Sequence, residues 1–382
     1  MTTADSARPS FREIVRDFNP AWFAAVMGTA VVPLAISFVE ASWVDLVAAV
    51  FIVLSVILFA VILVPWTLRL FLFPDAVRHD LHHPIAASFF PTMPIAVIVI
   101  ALDFLKYPDL LFSSSTSENV AFWLWLIGAI GIYVAGFVVL PRIYQSDTIE
   151  LSHANFGWFI PPVANLLIPV GGLELARVFP DRFEVTFLLS MVSLGIGLVL
   201  FVYVGALVYQ RYVLEALPPN RFAATSFIAI APTAIISVAL FKLMQLFEAG
   251  TPLDLSTEAV KAFSVIGILV SWGFSAWAFV MAVVIVLSYL RNLGLPYALS
   301  WWAYTFPVGA LAVSTGVVWN VTGFASVRWF YVGVVVVLFG VWTTVATQTA
   351  IALWTGKVLQ SPHQPPVKAI AGASAGFDDH HE

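Results

Sequence analysis

Cysteine is absent from this 382-residue chain, and charged side chains are scarce. Without a thiol, the chain can form no disulfide bond and offers no thiolate for catalysis or for an iron–sulfur cluster. Charged residues make up 10% of the sequence, whereas soluble domains carry about 25%. Because so few charges cannot cover a surface that faces water, the composition excludes a soluble globular protein.

Apolar residues, by contrast, make up 61% of the chain and occur in long runs. A helix of about 20 apolar residues spans the hydrocarbon core of a membrane, and long runs without polar alternation exclude a membrane β-barrel. We therefore predict an all-α polytopic membrane protein, with ten transmembrane helices in a pore domain of residues 20–356. The predicted spans are residues 20–40, 44–68, 85–105, 119–143, 155–173, 184–213, 222–247, 259–290, 297–323 and 328–356.

Lysine and arginine in the predicted loops indicate the orientation, because cytoplasmic loops carry an excess of these residues. Of the 17 basic residues, 11 lie on the same side as the segment 1–19 and six lie on the other side. We therefore predict that the segment 1–19 and the tail 357–382 are both cytoplasmic, in a protein of the bacterial inner (plasma) membrane. The tail is rich in Pro, Ala and Gly, a composition that is typical of disorder.

Proline is concentrated in the odd-numbered spans, where it removes a backbone hydrogen bond and clashes with the preceding turn. The alternation predicts five helical hairpins, with kinked odd helices around a central pore and straight even helices outside. A kink leaves carbonyl groups that need a neighbour or water, and a pore supplies water. The predicted kinks are Pro33, Pro91, Pro94, Pro161, Pro162, Pro232 and Pro307.

The middles of the odd spans contain hydroxyls and one amide but almost no ionisable group. This argues against a proton relay of buried Asp, Glu or His, while a sodium-coupled carrier that uses carbonyls and hydroxyls stays open. Helix N–H groups and hydroxyls suit an anion, although carbonyl ends that face the pore would instead favour a cation. The predicted polar lining is Thr29, Ser37, Thr92, Asn165, Thr233, Ser237, Thr305 and Ser314.

Two further side chains, Glu150 and His153, precede the fifth span at the predicted inner mouth. Since histidine titrates near neutral pH, they are candidates for a pH-sensitive pair in a vestibule. The alternative is that both are ordinary polar groups of a loop. No span carries paired histidines, a deeply buried lysine or a cofactor motif, so the sequence predicts no cofactor, no bound metal and no enzyme. Nothing in it indicates a nucleic-acid partner.

Four motifs, spread over most of the chain, resemble a known family. They are FNPAWFAAVMGT (18–29), HPIAASFFPTMP (83–94), GWFIPPVANLLIP (157–169) and WWAYTFP (301–307). In these motifs the sequence is similar to the tellurite-resistance and C4-dicarboxylate transporter family. That family includes fungal malic acid and sulfite transporters and the slow anion channels of plant guard cells.

The resemblance implies a ten-helix fold of five hairpins around a pore, in a homotrimer whose subunits each hold their own pore. It also implies anion transport that is gated by a phenylalanine of the ninth helix. In this sequence the motif places that plug at Phe306, and Pro307 would turn the helix so that the ring crosses the pore axis. Long cytosolic tails control the plant members, whereas the segment before the first span here has fewer than 20 residues.

Two hypotheses for the function follow. The first is an anion channel or passive anion transporter in the lipid bilayer. The alternative is a proton- or sodium-coupled transporter of C4-dicarboxylates or sulfite with the same fold. The anion itself stays open, because chloride, nitrate, malate, sulfite and tellurite all suit a wide, uncharged, hydroxyl-lined pore.

Overall fold

The computed structural model describes residues 10–147 and 149–356, and these residues form helices and no β-strand. The predicted tail 357–382 and residues 1–9 of the predicted N-terminal segment lie outside them. The α-helices are α1 (Phe11–Arg16), α2 (Phe23–Ile36), α3 (Val44–Leu72), α4 (Pro74–His82), α5 (Thr92–Lys106), α6 (Ser114–Tyr144), α7 (Ile160–Val178), α8 (Phe183–Leu214), α9 (Ala231–Ala249), α10 (Thr257–Asn292), α11 (Thr305–Thr322) and α12 (Ala325–Trp354).

Eight helical segments in the described residues are long and apolar enough to cross a membrane. They correspond to α3, α5, α6, α7, α8, α9, α10 and α12, while α2 belongs to a shorter apolar helix, Pro20–Ile36. The prediction of a polytopic all-α membrane protein agrees with these lengths. The count of ten spans stays a prediction.

Five helices, α2, α5, α7, α9 and α11, form the centre of the molecule and are called the ring helices. Each packs against the next one, and α11 packs back against α2, so the ring is closed. The helices α3, α6, α8, α10 and α12 are called the outer helices, and each packs on the ring helix that comes before it. All five ring helices therefore run in the same direction, with their amino ends together.

Burial separates the two sets. The most apolar stretches of the segments that contain α5, α7 and α9 are 78%, 94% and 83% buried, whereas those of the outer helices are only 22–28% buried. In α2 and α11 as well, nearly every residue is buried. The outer helices therefore carry the apolar face that a bilayer would cover.

The prolines take positions that differ from the predicted mid-span kinks. A 3₁₀ segment precedes each ring helix, and most of the prolines lie where the 3₁₀ segment gives way to the α-helix. The first turn of an α-helix has no acceptor for its N–H groups, so a proline there removes no hydrogen bond. The residues in or next to a first turn are Pro91, Pro94, Pro161, Pro162, Pro232 and Pro307.

Of the seven predicted kinks, only Pro33 lies in the interior of an α-helix. It stands in the last turn of α2, where the carbonyl groups have no partner within the helix. Tyr107 donates its hydroxyl to the Pro33 carbonyl at 2.9 Å, and Tyr331 of α12 donates to the Ala35 carbonyl at 2.7 Å. Burial raises the pKa of the Tyr107 phenol, which keeps it a neutral donor. Two tyrosines thus cap this helix end.

Candidate functional site

A cavity of ≈ 290 Å³ lies at the amino ends of the ring helices, and we call it the amino-end cavity. All five ring helices contribute to its wall, together with the 3₁₀ segments that precede α9 and α11. Most of the lining is apolar. The deepest lining residue of each ring helix is Met27, Ile95, Val163, Ala231 or Pro307.

Phe306 lies in this cavity wall, in the first turn of α11, with 6% of its surface exposed. Helical side chains lean towards the amino end of their own helix. The ring of Phe306 is therefore directed towards the amino-end cavity and away from the far end of the ring.

A second cavity of ≈ 1120 Å³ lies at the carboxyl ends of the same five helices, and we call it the carboxyl-end cavity. The first residue of each ring helix to line it is Leu34, Leu102, Val170, Val238 or Val313. Its outer part is charged, with Lys106, Glu174, Arg177 and Lys242 in the wall.

An apolar septum separates the two cavities. On α2, for example, Met27 lines one cavity and Leu34 the other, so the two lining residues are seven positions apart. The separation on the other ring helices is six or seven residues, which corresponds to about 10 Å. Between these positions the ring helices carry buried apolar residues of one cluster, among them Ala30, Val99, Leu167, Ala234, Ile235 and Ala310. Ile98 and Leu166 of the same stretches pack instead against Gly128 of α6 and Gly197 of α8.

The amino-end cavity has a positive electrostatic environment despite its apolar wall. Five helix amino ends face it, and each carries about half a positive charge from its aligned peptide dipoles. Arg221 contributes a fixed positive charge to the lining, and its guanidinium lies 5.0 Å from the Phe222 ring centre. His83 also lines the cavity, and its Nδ1 accepts hydrogen bonds from the N–H groups of Ile85 and Ala86, both at 3.2 Å.

At the carboxyl ends, fixed cations face the negative ends of the helix dipoles. Lys106 and Arg177 stand in the last turns of α5 and α7. Lys242 Nζ lies 2.9 Å from Glu174 Oε2, and Arg177 donates to Glu174 Oε1. This cluster was not predicted from the sequence, where the basic residues served only to indicate the orientation. Its signal in the sequence is a basic residue shortly after each of two predicted spans, Lys106 after 85–105 and Arg177 after 155–173.

Two of the eight predicted lining residues line one of the two ring cavities. Thr92 lies in the amino-end cavity and donates its hydroxyl towards the carbonyls of Pro20 and Phe89, at 2.9 and 2.6 Å. Ser37 lies in the carboxyl-end cavity.

The other six lie elsewhere. Thr29 accepts from the Trp342 indole at 3.2 Å, and Thr233 shares a 2.7 Å hydrogen bond with Ser275, so both face outer helices. Asn165 lines a separate small cavity between α6, α7 and α8. The hydroxyls of Thr29, Thr305 and Ser314 donate to carbonyls of the preceding turn, so they need no pore. The remaining three, all fully buried and in neither cavity wall, are Ser237, Thr305 and Ser314.

The predicted vestibule pair lies in the connection before α7. His153 Nδ1 accepts from the Glu150 backbone N–H at 3.1 Å, and the two side chains cap one short 3₁₀ turn. Neither residue is in the wall of the two cavities. The histidine that lines the amino-end cavity is His83.

Comparison with known proteins places these features in context. A family model described as "Voltage-dependent anion channel" matches residues 17–350. The chain is 32% identical over 352 residues to an uncharacterized transporter of Methanocaldococcus jannaschii. That alignment covers 91% of this chain and 97% of the relative. It is 25% identical over 315 residues to a sulfite efflux pump of Arthroderma benhamiae, covering 79% and 81% of the two chains. An S-type anion channel of Arabidopsis thaliana is 24% identical over 271 residues, 69% of this chain and 44% of the relative.

Proposed function

The chain belongs to the voltage-dependent anion channel family, and from that premise we propose that it moves small anions across the plasma membrane through the centre of its own helix ring. The proposed path runs from the amino-end cavity through the septum to the carboxyl-end cavity. In this proposal the five ring helices and the five outer helices make ten spans in five hairpins, and the ring helices enclose the pore. The observation that carries it is the pair of cavities on one axis, with all five ring helices in both walls.

The sign of the transported charge follows from the direction of the ring helices. All five direct their amino ends, and hence the positive ends of their peptide dipoles, towards the amino-end cavity. Such ends attract anions, and Arg221 adds a full charge to the same wall. Because neither term is a tight ionic site within the septum, an anion can enter and leave, as conduction requires.

Phe306 is the proposed gate. It is a large ring at the deep end of the amino-end cavity, next to a septum of small and branched side chains. An apolar constriction of this kind excludes water as well as the hydrated ion. Pro307 sets the start of α11 and so fixes the direction in which the ring leaves the helix.

The experiment that tests the gate is Phe306→Ala, with anion current measured in planar bilayers or liposomes. We expect far larger anion flux than in the wild type, because the ring is removed while Pro307 and the helix direction stay. The matched control is Phe104→Ala, a ring-helix phenylalanine that is equally buried and lines neither cavity. It should lose about 3–5 kcal/mol of stability without any gain of flux. A folded but silent Phe306→Ala would exclude the gate.

One residue favours the second candidate, a proton-coupled transporter. Asp103 of α5 is fully buried, and within the described residues neither of its carboxyl oxygens has a hydrogen-bond partner. It stands one turn before Tyr107, whose hydroxyl contacts α2, so it lies on the α5 face towards α2. An ionisable side chain buried in a membrane span is a default sign of function.

Reversal potentials separate the two candidates. A passive channel gives a current that reverses at the anion Nernst potential and ignores a pH gradient. A proton-coupled transporter shifts its reversal potential with the pH gradient, and Asp103→Asn should abolish that shift. A wild-type reversal potential that is independent of pH removes the coupled candidate.

The assembly and the orientation complete the proposal. We propose a homotrimer in which each subunit has its own pore, with both chain ends in the cytoplasm. The exposed apolar faces of the outer helices support either lipid or subunit contact. The mass of the purified protein in detergent tests the trimer, and protease accessibility of a tag at each chain end tests the orientation.

A further inference from the structure

Glu174 stands inside the carboxyl-end cavity with both of its carboxylate oxygens engaged by cations. Lys242 Nζ of α9 lies 2.9 Å from Oε2, and the Arg177 guanidinium, one turn along α7, contacts Oε1. Charge-assisted hydrogen bonds of this kind are about twice as strong as neutral ones. The three side chains thus form a small site in which a carboxylate is already bound.

The formal charges of the cavity wall cancel. The wall contains three basic residues, Lys106, Arg177 and Lys242, and three acidic ones, Glu40, Glu174 and Glu248. Glu248 is already paired with Lys261 at 2.9 Å. Lys106 places its ammonium group 5.6 Å from the Phe38 ring centre, within the same cavity. If Glu174 were neutral, the wall would carry a net positive charge.

The ion pair remains accessible from the cavity. Both side chains are in the wall, with 24% of the Lys242 side chain and 12% of the Glu174 side chain exposed. A cavity of ≈ 1120 Å³ is roomy enough to admit a C4-dicarboxylate beside them. An anion that arrives there can therefore reach Lys242 without any opening of the helix ring.

We propose that Lys242 and Arg177 form a binding site for anions with two or more oxygen atoms, and that Glu174 is a built-in competitor which occupies this site. The ligand class is carboxylates and sulfite-like oxyanions, because the two cations are spaced for two oxygens of one group. Chloride offers a single atom and replaces Glu174 poorly. This proposal rests on the passage of anions proposed above. It assigns an anion-binding site to the carboxyl-end cavity of that path.

The test is Glu174→Gln, which keeps the shape of the side chain and removes its charge. Malate, sulfite and chloride binding to the full chain in detergent is measured by calorimetry, and half-saturation of flux is measured in liposomes. We expect malate and sulfite to bind about tenfold more tightly, because the uncharged Gln side chain no longer competes with the ligand for charge-assisted hydrogen bonds to Lys242 and Arg177. Chloride should change much less.

Two further variants make the result specific. Lys242→Gln in the Glu174→Gln background should reverse the gain, because it removes the cation that the ligand contacts. Glu184→Gln changes an exposed glutamate at the start of α8, outside the cavity wall, and should leave all three affinities unchanged. If Glu174→Gln does not fold, Glu174→Asp withdraws the carboxylate from Lys242 and should give a smaller gain in the same direction.

The outcomes separate this inference from the proposed function. A folded Glu174→Gln that binds malate no more tightly than the wild type overturns the competitor, whatever Phe306→Ala does. An equal gain for chloride and malate overturns the preference for two oxygens. Tighter malate binding by Glu174→Gln, with no anion flux in any variant, would support the binding site at Lys242 and Arg177 and would overturn the proposed passage of anions through the helix ring.

Discussion

The ring helices and the outer helices are built from similar apolar residues, yet their surroundings are opposite. Outer helices bury only about a quarter of their most apolar stretch, whereas the ring helices bury most of theirs. Apolar composition therefore makes both sets compatible with a membrane but does not distinguish the central set from the outer one. Within the ring, glycines such as Gly309 and Gly316 lie against side chains of α2 and the residues that follow it, and small residues of this kind allow helices to approach closely where lipid provides no hydrophobic drive.

Polar contacts join the two sets. The Trp342 indole of α12 donates to Thr29 of α2, and the Trp302 indole, just before α11, donates to Thr349 of α12 at 3.1 Å. Thr233 of α9 meets Ser275 of α10. Hydroxyls and indoles of the two sets thus hold the outer helices in register, and the wall of the amino-end cavity is left largely apolar.

The largest difference between the two sets is expected from phenylalanine truncation. Phe23 of α2 is fully buried and contacts Phe59 and Trp66, whereas Phe137 of α6 is 77% exposed. Phe23→Ala should cost about 3–5 kcal/mol, and Phe137→Ala should cost little. Thermal unfolding in detergent measures both. An equal loss for Phe137→Ala would mean that another subunit covers this part of α6.

A smaller difference is expected from glycine substitution. A Cβ on Gly309 of α11 would approach the Val31 side chain to within 2.4–3.0 Å, and Val31 is branched and buried. A Cβ on Gly340 of α12 would meet nothing within 4 Å. Gly309→Ala should cost about 1–3 kcal/mol through overpacking, while Gly340→Ala should be neutral or stabilise by about 0.5–1 kcal/mol. Similar unfolding temperatures for both variants would mean that the α2–α11 contact adjusts easily.

The smallest effect is expected at Thr29, which the sequence analysis assigned to the pore. Thr29→Val removes the acceptor for the Trp342 indole and should cost about 1–2 kcal/mol through the unpaired donor. Anion selectivity should stay unchanged, because Thr29 lines neither cavity. Thr92→Val, in the amino-end cavity, is the matched variant that should alter permeation. A change of anion selectivity in Thr29→Val would mean that Thr29 does line the pore.

The positions of the helices could be predicted from the sequence, because a run of apolar residues is a local feature. The second predicted span, 44–68, corresponds to α3 at Val44–Leu72. The fifth, 155–173, contains Pro161, Pro162 and Pro169, yet α7 is continuous from Ile160 to Val178. Pro161 and Pro162 stand in its first turn, where the helix has no hydrogen bond to lose, whereas Pro169 lies in the helix interior.

The faces of the helices could not be predicted, because they depend on partners far away in the sequence. Glu174 and Lys242 are 68 residues apart, and each alone resembles a charge at the end of a span. Thr233 and Ser275 are separated by 42 residues. Among the 32 phenylalanines, Phe306 was predicted as the gate from the family resemblance of its motif and from the adjacent Pro307. Its gating role stays a prediction.

The closed ring has a consequence for biosynthesis. Residues of α2 find their last partners in α12, across 313 residues for Thr29 and Trp342 and 296 residues for Ala35 and Tyr331. Contacts so distant in sequence give a high contact order, and such contacts form slowly. During translation, the first ring helix must stay in the membrane with an incomplete set of neighbours until almost the whole nascent chain has been inserted. A chain that stops before α11 therefore leaves an open arc of ring helices, because α11 makes the contact that closes the ring onto α2. Such an arc has exposed polar groups for quality control to recognise and no enclosed path for ions to leak through.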